Sequence, residues 1–263
     1  MGWMQQRLRH LGWRHWLCWL LLWGLMPASA TLRVATAQWP GFTTATGQGA
    51  YFELLQLVLA EPVTVDIMPY TRAVLTTERQ QAEVVFAVTP HDSTLLGLSM
   101  DPIDFDEVVA VFRPTAALKI ALQQRRFSNL RLSWRQGYNY GVALGLPAQG
   151  FEALSIEQGL ELVLHQRLDL FLVERSELDS FTPQQLLQSG LAVEHLAFVP
   201  IYVGFAPSSR GLQLQRQWNQ RWQQLRETGE LHRFYQHHDG MLAPDPRQPT
   251  KPASPQPASG PRS

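Results

Sequence analysis

The sequence predicts an α/β fold with two sheet-containing lobes. Short apolar segments of strand length alternate with segments whose apolar residues recur at helical spacing. Such alternation is typical of a parallel sheet with right-handed crossover connections. It begins a second time after the apolar segment EVVAVFR, residues 107–113, which itself predicts a strand. Two lobes, each with its own sheet, are the simplest arrangement that accounts for both series.

The first series contains three predicted strands and two predicted helices. Alternating or continuous apolar residues indicate the strands, and apolar residues three or four positions apart indicate the helices. In chain order the segments are the strand TLRVATA (31–37), the helix GAYFELLQLVLAE (49–61), the strand VTVDIMPY (63–70), the short helix TRAVLTTERQQ (71–81) and the strand AEVVFAV (82–88).

The second series follows the same criteria. Its segments are the predicted strand YGVALGL (140–146), the helix SIEQGLELVLHQR (155–167), the buried strand LDLFLVE (168–174), one or two strands in HLAFVPIYVGFAP (195–207) and a final helix in LQLQRQWNQRWQQLRETGELHRFYQHH (212–238). Leu214, Trp218, Trp222 and Leu225 share one face of the final helix, and Gly229 closes it.

Both ends of the chain lie outside the predicted fold. Residues 1–30 have a basic start, an apolar centre at 16–25 and the small-residue ending Ala28-Ser29-Ala30. This order predicts a signal peptide cleaved after Ala30 and a periplasmic protein, with an uncleaved membrane anchor as the alternative. The opposite end, residues 241–263, is rich in Pro, Ser and Ala and predicts a disordered tail.

Charge and cysteine content exclude several function classes. Cys18, the only cysteine, lies in the predicted signal peptide, so the exported chain has no disulfide, cysteine metal site or thiol nucleophile. After removal of residues 1–30 it has 19 basic and 22 acidic residues, a balance that does not favour nucleic acid as a partner. No serine elbow, zinc-protease motif or phosphate loop occurs, so we expect no enzyme, no cofactor and no metal.

The order of several short motifs resembles one known family. The motifs LRVAT, YFELL, PYTRA, AEVVFAVTP, RQGYNYG, RLDLFLVE and GELHRFY resemble those of the family 3 solute-binding proteins. The resemblance implies the two-lobed type II periplasmic-binding fold with two crossover strands, closing on a ligand in the cleft. It places lobe 1 at 31–111 and 198–240 and lobe 2 at 112–197. It also implies that the protein is a monomer. The implied partners are a small-molecule ligand and either an ABC transporter permease or a membrane sensor.

The loops at strand ends supply most candidate ligand-binding residues. Trp39 follows the first strand, Tyr70 the second and Thr89 the third, at the carboxyl ends where open α/β sheets bind ligands. Aromatic rings there offer apolar and cation–π surfaces, although packing within the loops is the alternative role. In the second lobe, Arg135 and Tyr138 of RQGYNYG are candidates by resemblance to the family, where this turn often faces the cleft. Tyr140 has the same two possible roles as Tyr138.

Arginine residues raise a separate question. Arg72 is a candidate because its guanidinium could bind a carboxylate bidentately; the alternative is a structural ion pair with Asp101 or Asp106. Amino-acid-binding members of the family carry a carboxylate-binding arginine shortly after Thr89. Here His91-Asp92-Ser93-Thr94 occupies that place. The departure puts a standard α-amino-acid ligand in doubt.

Acidic residues complete the candidate site. Glu174 ends a buried strand near the family's ammonium-binding position, and its alternative role is that of an acid at a helix N-terminus. The acids Asp101, Asp104 and Asp106 lack the spacing of a calcium loop, so we interpret them as exposed polar and capping residues. The histidines from 232 to 238 predict a solvated helix end.

One alternative function remains open. Some relatives of this fold resemble periplasmic dehydratases, which need an acid or base in the cleft. Glu174 and His91 are the residues that could serve in that role.

Overall fold

The structure is a computed structural model that describes residues 31–146, 150–181, 183–238 and 240–244. The predicted signal peptide lies outside the described residues, as does most of the predicted tail. No helix among the described residues is long and apolar enough to cross a membrane.

The first series of predicted elements forms a parallel three-stranded sheet. The strands are β1 (Leu32–Thr36), β2 (Val63–Ile67) and β3 (Val84–Val88), and the helices are α1 (Ala50–Leu59) and α2 (Tyr70–Glu78). Strand β1 lies between β2 and β3 and pairs with both in parallel. Helix α1 buries its apolar residues, including Phe52 and Leu55, against this sheet.

Residues 116–188 contain another parallel sheet, in which the predicted strand LDLFLVE and the predicted helix SIEQGLELVLHQR occur together with elements that the sequence did not predict. Its strands are β6 (Leu132–Arg135), β7 (Gly150–Ala153) and β8 (Leu170–Glu174). Its helices are α3 (Ala116–Gln123), α4 (Tyr140–Ala143), α5 (Ile156–Leu164) and α6 (Pro183–Gln188), and residues Arg175–Leu178 form a 3₁₀ turn. Strand β6 lies between β7 and β8.

Two long antiparallel strands join the two sheets. These are β5 (Asp104–Phe112) and β9 (Ala192–Phe205), and they give the strand order β2-β1-β3-β9-β5-β8-β6-β7. Strand β9 pairs with β3 through residues 202–205 and also with the short β4 (Gly97–Leu98), while β5 pairs with β8 through residues 108–111. The predicted segment HLAFVPIYVGFAP therefore belongs to one continuous strand.

One predicted strand is wrong. The segment YGVALGL contains helix α4 and a turn, and the strand lies upstream at Leu132–Arg135. A short apolar run does not distinguish a strand from a buried helix. The physical reason here is Trp134, whose ring lies so close to Gly141 that a Cβ there would be 2.7 Å from Cη2. The glycine lets α4 pack directly on that ring.

The C-terminal helices close the first sheet. Helix α7 (Ser209–Glu227) buries the predicted face, and its Trp218 and Trp222 rings stack with centroids 5.7 Å apart. Gly229, with φ of +74°, separates α7 from α8 (Glu230–Gln236), so the predicted end of the helix is confirmed. Met241 is 4% exposed and packs in the same core, although it lies within the segment predicted as tail.

Candidate functional site

A cavity of about 90 Å³ lies where side chains from the two halves of the sheet meet. It is smaller than the roughly 300–1,000 Å³ of pockets for drug-sized ligands. Its wall is aromatic and acidic. The lining residues are Trp39, Phe42, Tyr51, Tyr70, Ala87, Thr89, Asp92, Asp104, Phe105, Asp106, Tyr138, Asn139, Tyr140, Ala143, Glu174, Ser176, Glu177 and Gly240.

The end of strand β3 shapes one side of the cavity. Its pairing with β9 shifts register between Val85 and Val88, and Ala87 has a φ of +60°. A non-glycine residue in this region is uncommon and marks a local irregularity. The carbonyl of Ala87 accepts a hydrogen bond from the Tyr70 hydroxyl at 3.0 Å. The irregular strand end thus holds Tyr70 at the cavity wall.

Contacts between the two halves hold the cavity closed. The Trp39 indole Nε1 donates to the Tyr138 hydroxyl at 3.4 Å. The Tyr70 and Tyr138 rings stack with centroids 6.0 Å apart and planes 29° apart. Gly137 lies against Thr71, where a Cβ would be 2.7 Å from Cγ2. Each pair joins the loops after β1 and β2 to the turn after β6.

Asp92 anchors a further contact between the halves. Its Oδ2 accepts from the Tyr70 hydroxyl and from the Thr89 backbone N–H, each at 2.7 Å, and its Oδ1 accepts from Asn139 Nδ2 at 3.1 Å. Both carboxylate oxygens therefore have protein partners. Asp92 thus lies in the segment after Thr89, where the resemblance implies a carboxylate-binding arginine.

Asp104 corrects the interpretation of the acids after residue 100 as exposed. It is 4% exposed, and it accepts hydrogen bonds from the Tyr51 hydroxyl at 3.1 Å and from the backbone N–H groups of Phe105 and Leu242, both at 2.8 Å. Burial raises its pKa to about 7 despite these bonds. The sequence interpretation failed because these acids were treated as a loop and compared with a calcium loop, whereas Asp104 and Asp106 lie on strand β5.

Asp106 also lines the cavity, two residues further along β5. Burial, followed by repulsion from the Glu174 and Asp104 carboxylates, raises its pKa well above the usual value. Among the described residues its carboxylate has no hydrogen-bond or ion-pair partner. Asp106 is thus an unpaired carboxylate beside other acids.

Glu174 ends β8 and lines the cavity, where the sequence placed a candidate. Its Oε2 accepts a hydrogen bond from the Ser176 hydroxyl, and the nearby backbone N–H groups of Ser176 and Glu177 favour the charged form of the carboxylate. Burial raises its pKa although these bonds act in the opposite direction. Both interpretations of Glu174 thus have a structural counterpart, because it caps the 3₁₀ turn and also faces the cavity.

Glu177 is a lining residue that the sequence analysis did not identify. Its Oε1 is in an ion pair with Arg135 and accepts from the Tyr138 hydroxyl at 3.3 Å. Its Oε2 is buried and has no hydrogen-bond partner. Burial raises the pKa of Glu177, opposed by the nearby guanidinium. Arg135, a predicted site residue, does not line the cavity. Its guanidinium lies behind the wall, with Cζ 5.6 Å from the centroid of the Tyr138 ring.

Arg72 lies on the exposed surface of α2 and does not line the cavity. The structural partners considered for it are engaged elsewhere or lie apart, since Asp101 pairs with Arg226 at 3.1 Å and Asp106 is unpaired. The other predicted candidates, Trp39, Tyr70, Thr89, Tyr138 and Glu174, share the cavity wall.

The wall also contains residues that sequence reasoning passed over. Tyr51 faces it from helix α1, and the sequence analysis gave this residue no role. Tyr140, which the sequence analysis did consider, also lines the wall; it is 3% exposed, and its buried hydroxyl has no partner among the described residues. Period-2 alternation along β5 would have placed Asp104 and Asp106 on one face of a strand.

The terminal histidines form a different kind of surface. His238 stacks on Phe234 with ring centroids 4.0 Å apart, and its Nε2 is 3.0 Å from Glu53 Oε2. No cluster of three potential metal ligands is present among the described residues.

Comparisons with known proteins identify the fold. No family model and no curated protein matches the sequence. A histidine kinase sensor domain with similarity to periplasmic binding proteins is 13% identical, with 82% of this chain and 98% of that chain covered and a TM-score of 0.61. A periplasmic binding protein of an arginine transport system from Legionella pneumophila is also 13% identical, with 79% and 99% covered and a TM-score of 0.57.

A third solved structure is the ancestral amino acid-binding protein AncCDT-1, a precursor of cyclohexadienyl dehydratase. It is 17% identical, with 79% of this chain and 94% of that chain covered and a TM-score of 0.54. At these identities the likeness concerns the fold. The chain has the two-lobed fold of the periplasmic binding proteins, as the sequence predicted.

Proposed function

We propose that this protein is an exported solute-binding protein that captures a small polar molecule in the cavity between its lobes. The observation that carries the proposal is the composition of the cavity wall, to which both halves of the sheet contribute polar and aromatic side chains. In the part of the chain that the structure describes, two strands, β5 and β9, join the halves, so a ligand in the cavity would favour the closed arrangement. Binding and closure are therefore coupled.

The destination of the ligand is a transporter permease or a membrane sensor. Solved neighbours of the same fold include a transport-system binding protein and a histidine kinase sensor domain. The protein would act in the periplasm as a monomer, after cleavage of the signal peptide at Ala30. Either partner would recognise the closed form.

A thermal-shift screen tests the proposal. The panel contains amino acids, polyamines, organic acids and short peptides, and a compound at 100 times its dissociation constant adds about 2.7 kcal/mol to the free energy of unfolding. We expect at least one compound to raise the melting temperature of the wild type and to lose this effect in Trp39→Ala. The matched control is His232→Ala, at an exposed position of α8. A panel without any stabilising compound would contradict the proposal.

An enzyme is the second candidate, favoured by one observation. Glu174 and Glu177 line the cavity, and burial raises the pKa of each carboxyl, which is the direction that favours a general acid able to donate a proton to a bound substrate. The neighbour that is a precursor of a dehydratase has the same fold. Incubation of the protein with each stabilising compound, followed by mass spectrometry, separates the candidates. A binding protein returns the compound intact, and an enzyme converts it.

A further inference from the structure

Negative charge dominates the cavity wall. Five carboxylates line it, those of Asp92, Asp104, Asp106, Glu174 and Glu177. No arginine, lysine or histidine is among the described residues of the wall. Arg135 is in an ion pair with Glu177 from behind, and its guanidinium balances one of the five acids. A molecule inside the cavity therefore meets acidic groups without basic groups beside them on the described wall.

Three polar groups of this wall have oxygen atoms without a partner among the described residues. Asp92, Asp104 and Glu174 accept hydrogen bonds from protein groups. The carboxylate of Asp106, Oε2 of Glu177 and the hydroxyl of Tyr140 do not engage any described residue, and the last two are buried. Buried polar groups in folded proteins are almost always paired, so unpaired ones require an explanation. Tyr140 is 3% exposed and is not an acid, so its unpaired hydroxyl indicates a missing hydrogen-bond partner independently of the carboxylates.

We propose that the cavity binds a small organic cation, an amine or ammonium compound without a carboxylate, whose N–H donors pair with Asp106, Glu177 and Tyr140. This assignment rests on the proposed solute-binding function and names its ligand class. A primary ammonium group has three donors and no acceptor, which matches three unpaired acceptors. The Trp39 and Tyr70 rings of the same wall add surfaces that attract cations.

A carboxylate on the ligand would oppose binding. It would lie among five acids with no positive side chain on the wall to receive it, in a cavity where burial weakens solvent screening. An amino acid of the same length carries this group, whereas the corresponding amine does not. The cavity volume of about 90 Å³ also limits an enclosed ligand to a small molecule.

Matched pairs of compounds test the proposal by calorimetry with the wild-type protein. Agmatine is arginine without its carboxyl group, and cadaverine is lysine without it. We expect at least one of these amines to bind about 100-fold more tightly than the amino acid of its pair, because like-charge juxtaposition costs several kcal/mol. Glutamate is the anionic control and should not bind.

Variants identify the groups that hold the cation. Glu177→Gln and Asp106→Asn should each weaken binding of the amine by about 10-fold to 100-fold, and Tyr140→Phe by about 10-fold. Tyr140→Phe removes only an unpaired hydroxyl, so it should fold even if a charge variant does not. Asp66→Asn removes an exposed acid of β2 and is the control that should leave affinity unchanged.

The outcomes separate this inference from the proposed function. If arginine or lysine binds as tightly as its amine, or if Tyr140→Phe and both charge variants bind like the wild type, the cation assignment is wrong and solute binding stands. If neither these compounds nor any other member of the screening panel binds, the proposed function fails together with the inference. Tight binding of an amine that is lost in Tyr140→Phe supports both.

Discussion

The Asp104 carboxyl should make the folded protein less stable as the pH rises. Burial raises its pKa from an ordinary value of 3.8 to about 7. The folded state therefore holds this proton at a pH where the unfolded chain has released it. The resulting stabilisation is fully present below about pH 4 and is lost as the pH rises to about 7, because stability falls wherever the folded state binds more protons.

The magnitude follows from the width of this window. One pKa unit corresponds to 1.36 kcal/mol, so ionisation of Asp104 should lower the free energy of unfolding by about 3 kcal/mol between pH 5 and pH 8. Asn at this position cannot ionise, and its amide oxygen can still accept from the N–H groups of Phe105 and Leu242. Asp104→Asn should therefore remove this part of the decline. Asp106 and Glu174 also have raised pKa values, so their ionisation lowers the free energy of unfolding with rising pH in both the wild type and Asp104→Asn.

Urea unfolding at pH 5, 6, 7 and 8, followed by tryptophan fluorescence, measures the effect. The difference in slope between the wild type and Asp104→Asn reports the contribution of this carboxyl together with the effect of its charge on the pKa of Asp106. Asp66→Asn is the control, because Asp66 is 40% exposed and forms a surface ion pair with Arg33 at 3.4 Å. Parallel pH dependences for the wild type and Asp104→Asn would refute the reasoning.

Four further predictions concern closure, the core and the chain ends. Gly137→Ala should weaken ligand binding measured by calorimetry, because its Cβ would meet Thr71 Cγ2 at 2.7 Å in the closed form. Adding Thr71→Ser should restore part of the lost affinity, and a double variant that binds no better than Gly137→Ala would exclude this steric cause. Trp218→Ala should destabilise the fold by about 3–5 kcal/mol in urea, and a smaller loss would contradict its role in the core. Deletion of residues 243–263 should leave the melting temperature within a few degrees, unless the tail is docked. N-terminal sequencing of the exported protein should begin at Thr31, whereas an intact Met1 in the membrane fraction would contradict cleavage.

Periodicity predicted the fold well where an element has one buried face. Helix α7 is the clearest case, because Trp218 and Trp222 repeat at helical spacing and are both almost fully buried. Strands β3 and β8 are buried on both faces and appear as continuous apolar runs, as expected for parallel strands. The segment YGVALGL failed because its conformation depends on Trp134, a distant packing partner that local pattern does not reveal.

Sequence reasoning about the site located the strand ends but not the charges that meet there. Trp39, Tyr70 and Glu174 lie on the cavity wall because carboxyl ends of parallel strands cluster in space. Asp104 comes from a strand that links the halves, and it accepts a hydrogen bond from the backbone N–H of Leu242, which is 138 residues away. No local spacing encodes such a contact. The environment of an acid is a property of the assembled fold.

The connection between the two sheets is a ribbon only two strands wide. In the described sheet, residues 104–107 of β5 and 198–201 of β9 pair with each other and have no further strand beside them. Any rocking of one sheet against the other must therefore twist this ribbon, which carries Asp104 and Asp106. These two acids therefore lie on the connecting ribbon that twists and not on either of the sheets that move. Substitutions of ribbon residues that do not line the cavity should consequently change the angle between the two sheets, and with it the fit of a partner, while the ligand keeps the same contacts.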